Sequence, residues 1–541
     1  MQISRLAAAI GAAVLTGLAT LGAAGAAPAP PPASRANDGV QVGGSIHWGK
    51  CADPVLQQAH AQCALLAVPL DYRNPGGPKI KLAVNRIRHT SNNYQGVLVT
   101  ADGDFNPFFI GALQAEHLGA AAADYDWIGF FPRGFAPSVP AITCDPNYFS
   151  PDRRSYTPRT RPVLRYWKAR SADYAADCAT HSAAQTALLG HMTTADSARD
   201  MDSIRRALGR AQITYYGISA TTYLGQVYAT LFPRHVRRLV FDSSIDPRTS
   251  PYQDMLATDI PMNRNLKIWF GWLAKYHKVY RLGTTERAVE HRWYAEKARL
   301  AQHPALGQVG PDEWTDIFAL AGIFQVAWVD FGLNLSKAFA DWAHTHSTKA
   351  GKNLVGLYHA VDGPGNDNGF AVGNAVVCTD PRWPQSWERW SRDARRLNRI
   401  APFYTWANVW LNAPCRYWKA PATAPVTVNG SQITSALLTD ETLDALTPFP
   451  GSVEVRRLFP HSALIAVPGG TSHANSLSGN LCVDRTIARY LENGTLPPRK
   501  PHARWDKTCP PLPRPVPTAS AQAKLPAGSL SPVLSQLGLR P

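Results

Sequence analysis

Ile213-Thr214-Tyr215-Tyr216-Gly217-Ile218-Ser219-Ala220-Thr221 is the stretch on which the reading of this chain turns. Ile213 to Tyr216 is a short run of branched and aromatic residues with β character, and Thr222 to Phe232 is an apolar run with helical spacing. A strand, a tight turn around a serine and then a helix make the setting of a nucleophile elbow, which lifts a serine hydroxyl clear of a sheet edge. The usual pattern is G-x-S-x-G. Gly217 and Ser219 fit it, while Thr221 stands where the second glycine belongs.

Outward from this stretch, β-type runs alternate with helical ones from Ile46 onward, the pattern of an α/β fold with a largely parallel sheet. Candidate strands are Val97 to Thr100, Trp127 to Phe130, Ile213 to Tyr216 and Leu239 to Asp242. Thr193 to Leu208 reads as a helix, with Thr193 and Asp196 as a capping pair and Gly209 as its stop. After Asp246-Pro247 the texture changes. Leu266, Trp269, Phe270, Leu273 and Tyr276 recur at helical spacing, and residues 247–375 read as a helical insertion. β/α texture resumes with Ser435 to Thr439 and Ala463 to Val467. The core therefore divides into residues 46–246 and 376–512.

The two ends differ from this body. Residues 1–26 read as a signal peptide, with Arg5, an Ala/Leu/Val/Gly run from Leu6 to Leu21 and a small-x-small site at Ala24-Gly25-Ala26. Residues 27–45 are a Pro/Ala-rich flexible leader, and residues 513–541 a Pro-rich tail. The expected protein is exported, with no membrane contact once the signal is cleaved. Eight cysteines in such a protein imply disulfides. No C-x-x-C occurs, which argues against metal and redox sites, and no cofactor is called for. Eight cysteines allow 105 connectivities. Sequence proximity favours Cys51–Cys63, Cys144–Cys178, Cys378–Cys415 and Cys482–Cys509. The net charge of +16 comes from scattered Lys and Arg rather than a basic block, and no nucleic-acid motif is present. A basic exported protein without a nucleic-acid partner is the expectation.

A serine hydroxyl becomes a useful nucleophile only when a histidine takes its proton and a carboxylate orients that histidine. In α/β-hydrolases the chain order is Ser, acid, His. Downstream of Ser219, Asp444 lies in Leu443-Asp444-Ala445-Leu446-Thr447-Pro448-Phe449, just past one candidate strand. His473 ends Gly469-Gly470-Thr471-Ser472-His473, just past the next. Both loops sit at strand ends, where functional residues of open α/β sheets gather. Asp242, Asp440 and Glu441 are rival acids, and His461 a rival base.

Several stretches carry a resemblance. Val68-Pro69-Leu70-Asp71-Tyr72 with Pro75-Gly76-Gly77, Asp200-Met201-Asp202-Ser203-Ile204-Arg205 and Thr222-Tyr223-Leu224-Gly225 are three of them. Leu282-Gly283-Thr284-Thr285-Glu286, Pro311-Asp312-Glu313-Trp314 and Cys482-Val483-Asp484-Arg485 are the others. From about Ile46 to Cys509 the chain resembles the secreted bacterial tripeptidyl aminopeptidases, within the proline-iminopeptidase-like α/β-hydrolases. The resemblance implies an α/β-hydrolase fold with a mostly parallel central sheet and a helical cap insertion. It implies Ser219 as nucleophile, Asp444 as orienting acid and His473 as base.

It also implies peptide substrates, with short peptides released from a free amino terminus. Ala220 supplies one oxyanion-hole N–H, and the loop after the strand supplies the other. The family has Gly-Gly-Pro-Gly in that loop, whereas this chain reads Thr100-Ala101-Asp102-Gly103-Asp104-Phe105-Asn106-Pro107. Gly103 is the candidate donor, and Asp104 brings a negative charge beside it. Loss of one such donor costs about 2.7–4 kcal/mol in other hydrolases. The family's Asp-Pro-Arg-Gly-x-Gly-Arg-Ser becomes Phe131-Pro132-Arg133-Gly134-Phe135-Ala136-Pro137-Ser138, and Thr221 brings a β-carbon to the elbow. Asp312 and Glu313 are candidates for pairing with a substrate ammonium, and the same residues suit the first turn of a helix after Pro311. Two other functions remain open at this stage: an esterase or amidase using the same triad, and a catalytically silent protein of the same fold.

Overall fold

A computed structural model describes residues 46–517, apart from 102–116, 152, 330–332, 363–364 and 366. The signal peptide, the leader, Gly103, Asp104 and most of the Pro-rich tail lie outside the described residues.

Ten strands form one sheet: β1 (Gly49–Lys50), β2 (Gln62–Pro69), β3 (Lys79–Ile87), β4 (Gly96–Ala101), β5 (Tyr125–Phe130), β6 (Ile213–Ile218), β7 (Val236–Asp242), β8 (Ala436–Glu441), β9 (Ser462–Val467) and β10 (Lys507–Thr508). Their spatial order is β1-β2-β3-β5-β4-β6-β7-β8-β9-β10. The β1–β2, β2–β3 and β3–β5 pairs are antiparallel. Every pair from β5–β4 to β9–β10 is parallel. This is the largely parallel α/β sheet that the alternating texture implies, in the α/β-hydrolase arrangement that the resemblance implies.

Strand periodicity explains why the central strands are apolar on both faces. Leu98, Tyr216, Val240, Leu437 and Ile465 pack on one side with Val483, Ile487 and Tyr490 of helix Leu481–Asn493. Val99, Tyr215, Leu239, Phe241 and Leu438 pack on the other. There they meet Met201 and Ile204 of helix Thr194–Ala207 and Leu224 and Val227 of helix Ala220–Leu231. Thr193 caps its helix as its sequence suggests, its hydroxyl accepting the Asp196 N–H at 3.0 Å.

Two of the stretches that carry the family resemblance, those of Tyr72 and Asp200, meet in space. Arg133 is fully buried and makes a two-pronged contact to Asp200 at 2.7 and 2.8 Å, while the Tyr72 hydroxyl donates to the same carboxylate at 2.7 Å. Removing either partner would strand a buried charge.

Helices fill the connection from β7 to β8. They begin with Pro251–Lys275 and run on through Trp387–Asn398 and Thr405–Asn412 to a short 3₁₀ turn at Ala413–Arg416. Helix Asn368–Thr379 runs across residue 375, the expected end of the insertion. The four disulfides are Cys51–Cys63, Cys144–Cys178, Cys378–Cys415 and Cys482–Cys509, as sequence proximity suggests. The start of the expected tail is held, because Trp272 Nε1 donates to the Pro515 carbonyl at 2.9 Å. Among the described residues no helix is long and apolar enough to cross a membrane.

Candidate active site

Ser219 follows β6 directly and precedes helix Ala220–Leu231, with φ 56° and ψ −129°. This is a conformation that an L-residue adopts only under constraint. Three further non-glycine residues with positive φ, Ser243, Ala474 and Leu477, lie on the neighbouring loops. Gly217 is required for close approach, since a β-carbon there would sit 2.9 Å from the Thr221 carbonyl oxygen. Thr221, by contrast, does not crowd the turn. Its hydroxyl accepts the Ile218 N–H at 2.9 Å and donates to the Ile218 carbonyl at 2.8 Å, closing the elbow on itself. The Tyr215 hydroxyl donates to the Thr221 carbonyl at 2.8 Å.

Asp444 and His473 occupy the loops after β8 and β9, on the same sheet edge as Ser219. His473 Nδ1 lies 2.8 and 3.0 Å from the two Asp444 carboxylate oxygens. Both side chains are fully buried, and His473 Nε2 has no hydrogen-bond partner among the described residues. The Asp444 carboxylate also accepts the Leu446 and Thr447 N–H groups at 2.8 and 3.1 Å and the Thr447 hydroxyl at 3.0 Å. Burial pushes this carboxyl up, but the His473 charge and the hydrogen bonds outweigh it and hold Asp444 below the ordinary carboxylate value. The rivals fall elsewhere: Asp440 accepts from Ser452 at 2.6 Å, and His461 is exposed at the far end of β9.

Asp242 ties the serine turn to the histidine loop. Its carbonyl accepts the Ser219 N–H at 2.9 Å, and its carboxylate accepts the Ser476 N–H at 2.7 Å. The Ala474 N–H donates to the neighbouring Ser243 hydroxyl at 3.0 Å. The helical insertion presses on the same loops. Arg264 and Asn265 donate to the Leu443 carbonyl at 2.6 and 2.8 Å, and the Ile323 carbonyl accepts the His473 N–H at 3.0 Å.

Ser219 and Ala220 line a cavity of about 810 Å³ beneath the helical insertion. Ala220 is the first residue of its helix, where an N–H has no intrahelical acceptor. Four carboxylates line the same cavity, Asp246, Asp254, Asp380 and Glu454. Arg248 pairs with Asp246 at 2.6 Å and with Glu454 at 3.5 Å. Asp254 and Asp380 have no Lys or Arg partner among the described residues. Asp254 is hydrogen-bonded by Thr249, and Asp380 accepts the Thr194 N–H at 2.8 Å. Burial pushes Asp254 up to about 7 and Asp380 up to about 6.

Asp312 and Glu313, the candidate ammonium ligands, are not among the residues that line this cavity. Both are buried in the first turn of helix Pro311–Ala319. Glu313 accepts the Gly310 N–H at 2.9 Å and pairs with Arg153 at 3.1 Å, while Asp312 accepts the Tyr156 N–H at 3.0 Å. The carboxylates at the cavity, Asp254 and Asp380, were not singled out by the sequence. The Cys378-Thr379-Asp380-Pro381 run gives Asp380 only the look of a turn.

Known proteins resemble the chain over most of its length. A family model described as "TAP-like protein" matches residues 401–509, and one described as "alpha/beta hydrolase fold" matches residues 103–311. The tripeptidyl aminopeptidase of Streptomyces coelicolor is 35% identical over 487 residues, covering 87% of each chain. The serine protease Hip1 of Mycobacterium tuberculosis is 26% identical, covering 85% of this chain and 91% of its own. Carboxylesterase B of the same organism is 29% identical, covering 83% and 88%.

Proposed function

The chain belongs to the tripeptidyl aminopeptidase family of α/β-hydrolases and is a serine hydrolase, and on that premise we propose that it is an exported exopeptidase acting on free amino termini. Ser219 is the nucleophile, His473 the base and Asp444 the acid that fixes the imidazole tautomer. His473 Nε2 takes the Ser219 proton as Oγ attacks a peptide carbonyl, and the same nitrogen protonates the departing amine. Water then enters and the acyl-enzyme is hydrolysed with His473 again as base. The Ala220 N–H stabilises the oxyanion, with Gly103 as the proposed second donor.

The observation that carries the exopeptidase reading is the pair of carboxylates Asp254, half-buried, and Asp380, buried, which have no cationic side-chain partners among the described residues in the cavity that Ser219 lines. A substrate ammonium supplies the missing charge. Release of three residues rests on the relatives named as tripeptidyl aminopeptidases. Export rests on the signal-like first 26 residues, supported by four disulfides, which persist in oxidising compartments. An esterase is the second reading, favoured by the relative named Carboxylesterase B.

The deciding assay compares a tripeptide p-nitroanilide with free and acetylated amino termini, alongside Ser219→Ala. Cleavage of the free peptide alone, lost in Ser219→Ala, supports the reading. Equal cleavage of both peptides, or turnover confined to p-nitrophenyl esters, overturns the exopeptidase assignment. Activity surviving in Ser219→Ala overturns the nucleophile.

A further inference from the structure

We propose that Glu441 is a positioning residue for the catalytic base, holding the turn that carries His473 through the Ser472 N–H. The inference rests on the assignment of His473 as base. Glu441 is the last residue of β8, three positions before Asp444, and is buried. Its Oε2 accepts the Ser472 N–H at 2.5 Å, one residue before His473. Gly470 lies flat on the same carboxyl group: a β-carbon there would sit 2.5 Å from Glu441 Cδ and 2.6 Å from Oε2. The histidine loop is thus wrapped around the Glu441 head, and the missing side chain at 470 makes the room.

Backbone bonds knit the same two turns together. The Leu443 N–H donates to the Gly470 carbonyl at 3.0 Å and the Thr442 N–H to the Val467 carbonyl at 3.1 Å. The Gly469 N–H reaches the Thr442 hydroxyl at 2.9 Å, and the Asp444 N–H reaches the Glu441 carbonyl at 3.1 Å. Orienting acid and base therefore hang on one frame, and Glu441 is its side-chain pin. A misplacement of about 1 Å in such a frame can cost about a hundredfold in rate.

No Lys, Arg or His pairs with Glu441 among the described residues. The groups that act on it are acidic: Asp444 from its own loop and Asp242 from β7, with Asp440 beside it in β8. Burial, then repulsion from Asp444 and Asp242 against the opposing Ser472 N–H, pushes it up to about 8. At neutral pH the pin is a neutral acid, so Glu441 adds no negative charge of its own beside Asp444 and His473. Above about pH 8 Glu441 ionises and the frame carries that charge.

The test is steady-state kinetics of Glu441→Gln and Glu441→Ala on a free tripeptide p-nitroanilide, with fluorophosphonate labelling rates for Ser219. Glutamine keeps a neutral oxygen acceptor for Ser472; alanine removes it. The proposal expects Glu441→Gln to hold wild-type kcat at pH 7 and to lose an alkaline limb near pH 8 that the wild type shows. It expects Glu441→Ala to lose about tenfold to a hundredfold in kcat and labelling rate, with KM nearly unchanged. Wild-type kcat in Glu441→Ala, an equal loss in Glu441→Gln, or an alkaline limb that persists in Glu441→Gln overturns it. If Glu441→Ala does not fold, the Glu441→Gln profile alone decides. Failure here with Ser219→Ala inactive leaves the triad standing, whereas activity in Ser219→Ala removes the premise itself.

Discussion

A branched side chain next to a constrained serine must find room, and Thr221 finds it by turning its hydroxyl back onto both polar groups of Ile218. Thr221→Val keeps the shape and removes those bonds inside a buried turn. We expect a loss of about 1–3 kcal/mol in denaturant unfolding. For Asp444→Asn the proposed triad predicts a fall in kcat of about 10⁴-fold, with KM little altered, because the amide favours the wrong imidazole tautomer. The cavity carboxylates give a different signature. As pH rises through about 6 to 7, Asp380 and Asp254 lose their protons and gain the charge that, on the proposed reading, holds an ammonium. KM for a free peptide should therefore fall across that interval, while a blocked peptide shows no such change. Residues at this scale were unevenly legible. Ser219, Asp444 and His473 stand at strand ends in a fixed order that sequence displays. Asp254 and Asp380 reach the cavity only through helix packing, and a lone aspartate in a helix or turn carries no mark of its neighbours.

Among the elements, helix Asn368–Thr379 runs across the expected boundary at residue 375. Its apolar run, followed by Thr379-Asp380-Pro381, looks like the end of the insertion. The signal that the helices continue was present: Trp387, Trp390, Ala394 and Leu397 fall on one buried face of the next helix, with arginines opposite. Proline 381 and Pro384 obscured it by breaking the pattern in two. Cys378–Cys415 closes this part of the insertion, joining the helix that ends beside Asp380 to the turn at Ala413–Arg416. Replacing both cysteines with serine should cost up to about 4 kcal/mol by the loop-entropy model, read from denaturant unfolding. Because Asp380 lies two residues from Cys378, KM for a free peptide should rise in the same variant. The central strands were easier to place, since their apolar runs are short, bounded and buried on both faces, whereas the half-exposed β2 and β3 gave no such run.

Over the whole molecule, the buried acids set a trend with pH. Asp254, Asp259 and Glu441 are pushed up to about 7, 7 and 8, and Asp380 and Asp484 to about 6, chiefly by burial. Each holds its proton in the folded state at pH values where the unfolded chain has released it. Their contribution to stability is full below about pH 4 and is lost as pH rises through 6 to 8. Asp444, Asp126 and Asp506 are shifted the opposite way and oppose the trend on the acid side, below about pH 4. The melting temperature should therefore be higher at pH 5.5 than at pH 8.5; a flat or rising profile would show that these acids are not protonated when folded.

β7 and β8 lie side by side, yet residues 243–435 separate them along the chain. Pairing across so long an interval is slow, because the intervening chain must be gathered before the two strands can meet. Ser219 belongs to the part synthesised and organised first, while Asp444 and His473 arrive with the last strands. On this topology a half-folded molecule carries its proposed nucleophile without its proposed base. During refolding, fluorophosphonate labelling of Ser219 should appear only in the final phase, after most helical signal has returned. With the proposed triad, a hydrolase whose chemistry is completed by its last long-range contact is harmless to its own chain while that chain is still open.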